Sequence, residues 1–304
     1  MPAPGSLVLP LCALILAPLL LGIVNRTKAV IAGRHGPPLL QPYWDIAKSL
    51  RRGAVYGEVT TWLLRLGPVG GLAALAAALL VMPFGGVGAP VSFSGDIIVL
   101  VGLLALGRFA TALAALDTGS SFEGMGASRE VHFSALAEPA LLLALATLAR
   151  VTGSFALTPV YQAVAIGAWA DALPTFALVG MTLLVILLVE NTRIPVDDPT
   201  THLELTMIHE VMVLDHSGPD FGLIQYAAAL KVWILGALLA GLVVPVRSGS
   251  VWLDGAAMLV GMVLLAGVIG MIESAMARYR LVHVPQFIVG AATLSAVAFI
   301  IRLV

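Results

Sequence analysis

Cysteine is almost missing: Cys12 is the one thiol, and it lies inside the first apolar run. That excludes an internal disulfide framework and any zinc or iron–sulfur site built from several cysteines. Charge is scarce as well. Asp, Glu, Lys and Arg make up 11% of the chain against 60% hydrophobic residues. With a net charge of −1 there is no basic surplus for nucleic acid, and no nucleic-acid partner is expected. The phosphate-cradling pattern G-x-x-x-x-G-K-S/T is absent, and so is a dinucleotide fingerprint. His209-Glu210 is followed by Val213 where the zinc-protease pattern H-E-x-x-H needs its second histidine, so that metal reading fails on spacing. No histidine pair is placed across spans for haem. No internal repeat is visible, which argues against the inverted-repeat transporter architectures.

Apolar length is what the chain has instead. Its mean hydropathy is +1.02. Eight apolar runs stand out, at 6–24, 66–83, 96–116, 133–152, 173–190, 222–245, 252–272 and 284–303. A membrane-spanning helix needs about 20 such residues. In lipid the backbone must satisfy its own hydrogen bonds, so the runs are expected to be helices. The expected fold is an all-α integral membrane protein, one polytopic domain over 1–304 with eight transmembrane helices and long cytoplasmic loops 1, 2 and 3. Breakers fall between the runs: Pro37-Pro38 and Pro42, then Gly85-Gly86 and Pro90. Pro159 and Pro174 bracket a short, weakly polar segment.

Basic residues predict the orientation. No Lys or Arg precedes the first run, and no A-x-A cleavage pattern follows it, while Arg26, Lys28 and Arg34 come after it. This fits a retained first helix with its N-terminus outside. The inner loops and helix ends then hold Arg26, Lys28, Arg34, Lys48, Arg51, Arg52, Arg65, Arg108, Arg129, Arg193, Arg278 and Arg280. The outer side holds Arg150, Arg247 and Arg302. Such a bias places the functional side on the cytoplasmic face, and the expected location is the cell inner (cytoplasmic) membrane. All 6 histidines fall on that same side.

Polar chemistry concentrates there. In the first loop, Gln41 to Arg52 can form a short amphipathic helix, with Tyr43, Trp44, Ile46, Ala47 and Leu50 on its apolar side. Alone, it reads as an interfacial anchor. The second loop, Leu116 to Phe133, is rich in glycine and serine and carries Asp117, Glu123 and Glu130; it is expected to be a polar loop folded closely on a neighbour. Arg108, Glu138 and Lys231 lie inside spans, and Glu190 and Glu273 at inner ends. Charges in lipid are costly unless paired, so they mark either function or static pairing, such as Glu138 with Arg108 or Lys231. The densest patch is ENTRIPVDDPTTHLELTMIHEVMVLDHSGPD, from Glu190 to Asp220. Pro195 and Pro199 keep its start irregular. Thr200 or Thr201, with Glu204, can form a capping box for a helix carrying His202, His209 and Asp215.

The run from Glu190 to Pro199, continuing through HEVMVLDHSGPD, resembles the signature of the membrane subunit that borders the quinone site in respiratory complex I. Membrane-bound group 4 nickel–iron (NiFe) hydrogenases share a subunit of that family. GRHGPPLLQPYWDIAK, LDTGSSFEGMGASRE and ALAEPALL extend the resemblance over nearly the whole chain. The nearer branch by these motifs is the formate hydrogenlyase subunit 4 and hydrogenase-4 component C type. The resemblance implies a membrane foot that binds no cofactor and catalyses nothing by itself. Its expected partners are a NiFe hydrogenase-like large subunit, a small Fe–S subunit and antiporter-like membrane subunits in the bilayer. Iron–sulfur clusters and nickel–iron centres would belong to those partners.

It also implies proton-coupling roles for Glu130, Glu138, Glu190, Asp197, Asp198, Glu204, Glu210 and Asp215, with Arg193 as their local counter-charge. Asp117, Glu273, Arg108 and Lys231 join that set by their place in the spans. Docking of the partner arm would use Gln41, Trp44, Asp45, Lys48, Arg51, Pro195 and His209. Quinone-using members carry a pattern like E-T-N-R-A-P-F-D-L-P-E. Here Asn191-Thr192 is reversed, and Asp198-Pro199-Thr200 replaces L-P-E, which points away from a quinone. The expected function is anchoring and proton coupling in a hydrogenase or formate-hydrogenlyase-like complex. The rivals are the quinone-site membrane subunit of NADH:quinone oxidoreductase and a stand-alone cation/proton transporter.

Overall fold

The computed structural model describes residues 4–197 and 207–303. Among them, eight helices are long and apolar enough to cross a membrane. They are α1 (Pro4–Ile31), α3 (Trp62–Val81), α4 (Asp96–Asp117), α5 (Ser121–Thr152), α7 (Ile166–Glu190), α8 (Gly218–Val243), α9 (Val251–Ala275) and α10 (Val284–Ile301). Two shorter helices, α2 (Gln41–Leu50) and α6 (Leu157–Ala163), lie in the connections. No strand occurs among the described residues. All eight expected spans are present, and α2 matches the expected amphipathic helix.

Helix α8 is the axis of the bundle. Every residue from Ala229 to Leu242 is buried, and a helix apolar and covered on all sides belongs at a centre. Around it pack α1, α2, α3, α7 and α9. Without a hydrophobic drive between helices in lipid, close packing of small residues and interhelical hydrogen bonds hold such a bundle. The α3–α4 pair shows the first: a Cβ on Gly67 would stand 2.5 Å from Ala114 Cβ. Ser295 and Thr182 show the second. Ser295 Oγ donates to Ala140 O at 3.0 Å, and Thr182 Oγ1 to Ala291 O at 3.2 Å, which stitches α10 to α5 and α7.

Prolines inside the helices are absorbed by neighbours. Pro18 has no N–H to give Leu14 O, the acceptor four residues back. Tyr226 Oη of α8 donates to that carbonyl at 2.6 Å. Tyr43 Oη of α2 donates to the next one, Ile15 O, at 2.5 Å. Both tyrosines therefore satisfy a stretch of α1 that a proline has disturbed. Pro174 acts similarly in α7, where Ala172 leaves helical geometry (φ −130°, ψ 22°) and Arg302 Nη2 reaches Asp171 O at 3.3 Å.

Three expectations need correction. The second loop is mostly helix: α5 begins at Ser121, not near 133. Its glycines read as loop, yet Gly126 is a packing position, where a Cβ would lie 2.4 Å from Val211 Cγ1 and 3.0 Å from Ile208 O. The helix expected through His209 and Asp215 is instead a single 3-10 turn, Glu210–Val213. Met207, Ile208, Val211, Met212 and Val213 are all buried, a pattern that one face of an α-helix cannot supply. The capping box at Thr200, Thr201 and Glu204, with His202, lies outside the described residues. The fifth span starts earlier than expected, at Ile166, because the helix continues through the break at Ala172.

Candidate functional site

One end of the bundle carries α2, the 190–197 loop and the 3-10 turn. A cavity of about 320 Å³ opens there and runs inward. Asn25 of α1, Asp45 and Ile46 of α2, Gly71 of α3 and Phe221 of α8 line its walls. Gly67, Pro68 and Gly71 of α3 and Gly107 of α4 line it too. Such a volume falls at the small end of the range for ligand pockets, about 300–1,000 Å³.

Its inner end is ionic. Glu190, the last residue of α7, offers Oε2 to Arg108 Nη1 of α4 at 2.5 Å and to Lys231 Nζ of α8 at 3.0 Å. Arg108 also pairs with Glu138 of α5. The result is one line of charge across four helices: Lys231, Glu190, Arg108, Glu138. Side-chain exposure is 4% for Glu190, 9% for Arg108 and 11% for Lys231. A carboxylate at a helix C-terminus also faces the negative end of the helix dipole, so it needs its cations. Glu130, buried and eight residues before Glu138 on a similar face of α5, lines the same cavity.

A second group sits beside the first. Glu273 of α9 is paired with Lys28 Nζ at 2.8 Å and Arg193 Nη1 at 3.3 Å. Asp197 Oδ1 meets Arg278 Nη2 at 2.8 Å, and Asp197 Oδ2 accepts the Ile208 N–H at 2.8 Å. The Tyr279 N–H donates to Pro195 O at 2.8 Å. These contacts pin the 190–197 loop to the end of α9. Arg193 is thus the counter-charge of Glu273, while other cations serve Glu190, Glu138 and Asp197. Thr192 holds a left-handed backbone, φ +46°, which a β-branched residue adopts only under strain.

The expected residues divide clearly. Glu210 and His209 line the cavity. Burial and then Lys231 lower the basicity of His209. Asp117 is drawn elsewhere. It accepts from Thr61 N (2.7 Å), Thr61 Oγ1 (2.6 Å) and Leu64 N (3.1 Å), which caps the start of α3. Asp215 is exposed, and its backbone N–H donates to Glu123 Oε1 at 2.9 Å. Gln41 donates to Asp45 at 2.7 Å, Trp44, Asp45 and Lys48 are exposed on α2, and Arg51 is exposed just past its end. Pro195, expected on the docking surface, is buried, as are its neighbours Ile194 and Val196. Their apolar side chains draw that stretch inward. Asp198 and Glu204 lie outside the described residues.

Several members were not singled out as site residues from sequence. Lys28 and Arg278 served there to orient the chain; their value as partners shows only across long separations. Buried Glu123 and half-buried Gln225 each keep one side-chain oxygen without a hydrogen bond, and Gln225 lines the cavity. Tyr43 gave a signal, an aromatic hydroxyl on the buried side of an amphipathic helix. Burial raises its pKa, and the Leu19 N–H opposes.

The NADH dehydrogenase family pattern matches residues 5–304 of the chain. The chain belongs to that family. It is 34% identical over 280 residues to formate hydrogenlyase subunit 4 of Escherichia coli K12, covering 89% of each chain. It is 33% identical over 232 residues to hydrogenase-4 component C of the same organism, covering 76% of this chain and 72% of that one. The fold matches a chain of the membrane-bound sulfane sulfur reductase, an archaeal respiratory membrane complex, with a TM-score of 0.83, 19% identity and 98% of each chain covered. The likeness to the reductase shows the fold. The family and its membrane-bound relatives agree with an eight-helix membrane subunit.

Proposed function

We propose that this chain is the membrane-anchor and proton-coupling subunit of a hydrogenase or formate-hydrogenlyase-like complex. The observation that carries the reading is the Glu190 carboxylate, shared by Arg108 and Lys231 where the cavity ends. The two curated relatives support the kind of complex. In this reading the cavity end of the bundle faces the cytoplasm, the N-terminus lies outside and the membrane is the inner one. The excess of basic residues at that end supports the orientation. The exposed face of α2 then receives a metal-bearing arm made of a NiFe hydrogenase-like large subunit and a small Fe–S subunit. Antiporter-like subunits lie alongside in the bilayer.

The mechanism is electrostatic. A carboxylate held by two cations responds to any third charge that reaches the cavity, because opposite charges favour its ionised form and like charges disfavour it. Redox chemistry in the docked arm changes the charge near the cavity mouth. Lys231 and Arg108 then repartition among Glu190, Glu130 and Glu138, and a proton follows. The test is Glu190→Gln in the purified complex reconstituted in liposomes. Hydrogen evolution from an artificial donor should persist while coupled proton movement is lost. Unchanged proton movement per turnover refutes the proposal.

The cavity volume favours one second reading, a quinone site of the kind found in NADH:quinone oxidoreductase. A quinone analogue that protects Asp45 or Phe221 from labelling would support it. A stand-alone transporter needs charge along a whole path. Of the carboxylates at the opposite end, Asp171 is exposed, and Asp96 and Asp254 are spent on loops: Asp96 Oδ1 takes the Leu157 N–H at 2.7 Å, and Asp254 Oδ1 takes Ser248 N and Oγ at 2.7 Å each.

A further inference from the structure

The stretch from Arg51 to Thr61 joins α2 to α3 as a strap, and it is pinned along its length. Ser217 Oγ, just before α8, accepts the Val55 N–H at 2.9 Å and donates to Val55 O at 3.2 Å. A Cβ on Gly218 would lie 2.6 Å from Gly53 O, so the two backbones touch there. Thr61 N donates to Asp117 Oδ2, at the end of α4, at 2.7 Å. The strap is thus held at the level where α3 and α8 begin and α4 ends. For spanning helices that level is a bilayer surface.

Held this way, the strap turns apolar side chains outward. Val55 is 75% exposed and Val59 76%. Trp62 (65%), Leu66 (52%) and Val69 (50%) continue the patch along one face of α3, at i, i+4 and i+7. Tryptophan is enriched at the boundary between membrane and water. Basic groups bracket the same patch, Arg51 and Arg52 at one end and Arg65 at the other. All three are exposed, and none makes an ion pair among the described residues. Against them the strap carries one acid, Glu58. Arg65 is also held in place. Its guanidinium carbon lies 4.2 Å from the centre of the Tyr56 ring, and Tyr56 in turn faces Asp220 of α8. Stacking on a ring fixes the plane of a guanidinium and leaves its N–H fork at the edge, the geometry that takes a phosphate through two hydrogen bonds.

We propose that this patch binds an anionic phospholipid. The Arg65 fork takes the headgroup phosphate, Arg52 adds positive potential, and the acyl chains lie on Leu66 and Val69. One amphiphile meets both demands. A soluble acidic peptide would satisfy the arginines and leave the α3 stripe bare, whereas a zwitterionic lipid would cover the stripe and bring no net charge. The proposal needs only that these helix ends lie at a bilayer surface, and it stands apart from the proton-coupling reading.

Two photoactivatable lipids test it, phosphatidylglycerol and phosphatidylcholine with the same reactive group near the glycerol. Each is placed at equal share in phosphatidylcholine liposomes holding the intact complex, and adducts are mapped by mass spectrometry. Yields are normalised to Leu264 on α9, a position 65% exposed with no basic residue on its helix. Labelling of residues 55–69 should be several-fold higher with phosphatidylglycerol than with phosphatidylcholine. Arg65→Gln should cut that ratio about five-fold, the factor one basic residue contributes at an anionic surface. Unchanged labelling at Leu264 shows that the variant is folded. Excess inorganic phosphate should leave the ratio as it was. Equal labelling by the two lipids overturns the proposal, as does a ratio indifferent to Arg65→Gln. Absence of lipid adducts on 55–69 means that protein covers the patch, and loss of the preference in free phosphate means a site for a soluble anion; either also overturns it. Neither hydrogen evolution nor proton movement enters the readout, so this result and that of Glu190→Gln stand or fall separately.

Discussion

Replacing Glu190 by glutamine removes the carboxylate that Arg108 and Lys231 share at 2.5 and 3.0 Å. Both cations are nearly buried. Breaking a buried ion pair from one side costs about 3–5 kcal/mol, because the other charge stays behind uncompensated. Arg108 keeps Glu138, so the loss falls mainly on Lys231 and the cost should lie near the lower figure, about 3 kcal/mol. At roughly 2–4 °C per kcal/mol, the melting temperature of the solubilised complex should fall by roughly 6–12 °C. Lys231→Met alone strands part of the charge on Glu190. Combined with Glu190→Gln it removes the stranded cation, so the double variant should be milder than the sum of the singles by about 0.5–3 kcal/mol. Melting curves of wild type, both singles and the double variant decide the matter. Simple additivity, or a Glu190→Gln protein that melts like wild type, would show that the geometry of this group is not what holds it.

Three further outcomes are expected. Tyr226→Phe leaves Leu14 O without its donor and should cost about 1–3 kcal/mol, whereas in a Pro18→Ala background the restored N–H should reduce the loss to within about 0.5 kcal/mol; thermal melting of the four proteins compares them. Thr192→Asn should stabilise by about 1 kcal/mol, since asparagine tolerates the left-handed backbone at φ +46° better than a β-branched residue, and a lower melting point would contradict this. His216 is buried, and burial holds its pKa below the usual imidazole value while Asp220 and Asp215 oppose. Its proton is therefore bound more readily in the unfolded chain. The associated stability is complete above about pH 6.5 and declines as the pH falls below that. Amide exchange at Val55, whose N–H is held by Ser217 Oγ at 2.9 Å, should quicken on acidification in the wild type and much less in His216→Leu.

The eight spans were legible because lipid demands long apolar runs, and the amphipathic α2 because its aromatic and basic residues separate by face. The Arg108–Glu138 pair was one of two pairings expected from depth alone. Glycine misled in α5: Gly124 and Gly126 look like loop residues, but one of them is small because Val211 and Ile208 press on it. Arg193 misled for a different reason. Its partner Glu273 is 80 residues away, so the acids nearest in sequence looked like the natural counter-charges. Pro195 read as part of a docking loop because prolines prevent regular structure, yet irregular backbone can be buried when its carbonyls find donors, as Pro195 O finds Tyr279.

Tyr43 fixes a level. Helix α2 carries the exposed residues Trp44 and Lys48, and such a helix would ordinarily float in the headgroup layer. Here one hydroxyl reaches the spanning helix itself, at Ile15 O, beside the proline that disturbs α1. The same helix supplies Asp45 and Ile46 to the cavity wall. The platform and the chamber beneath it therefore share one datum. Under the proposed docking, an arm seated on Trp44 would be set at a fixed height above Glu190, as a bearing is set by its shim.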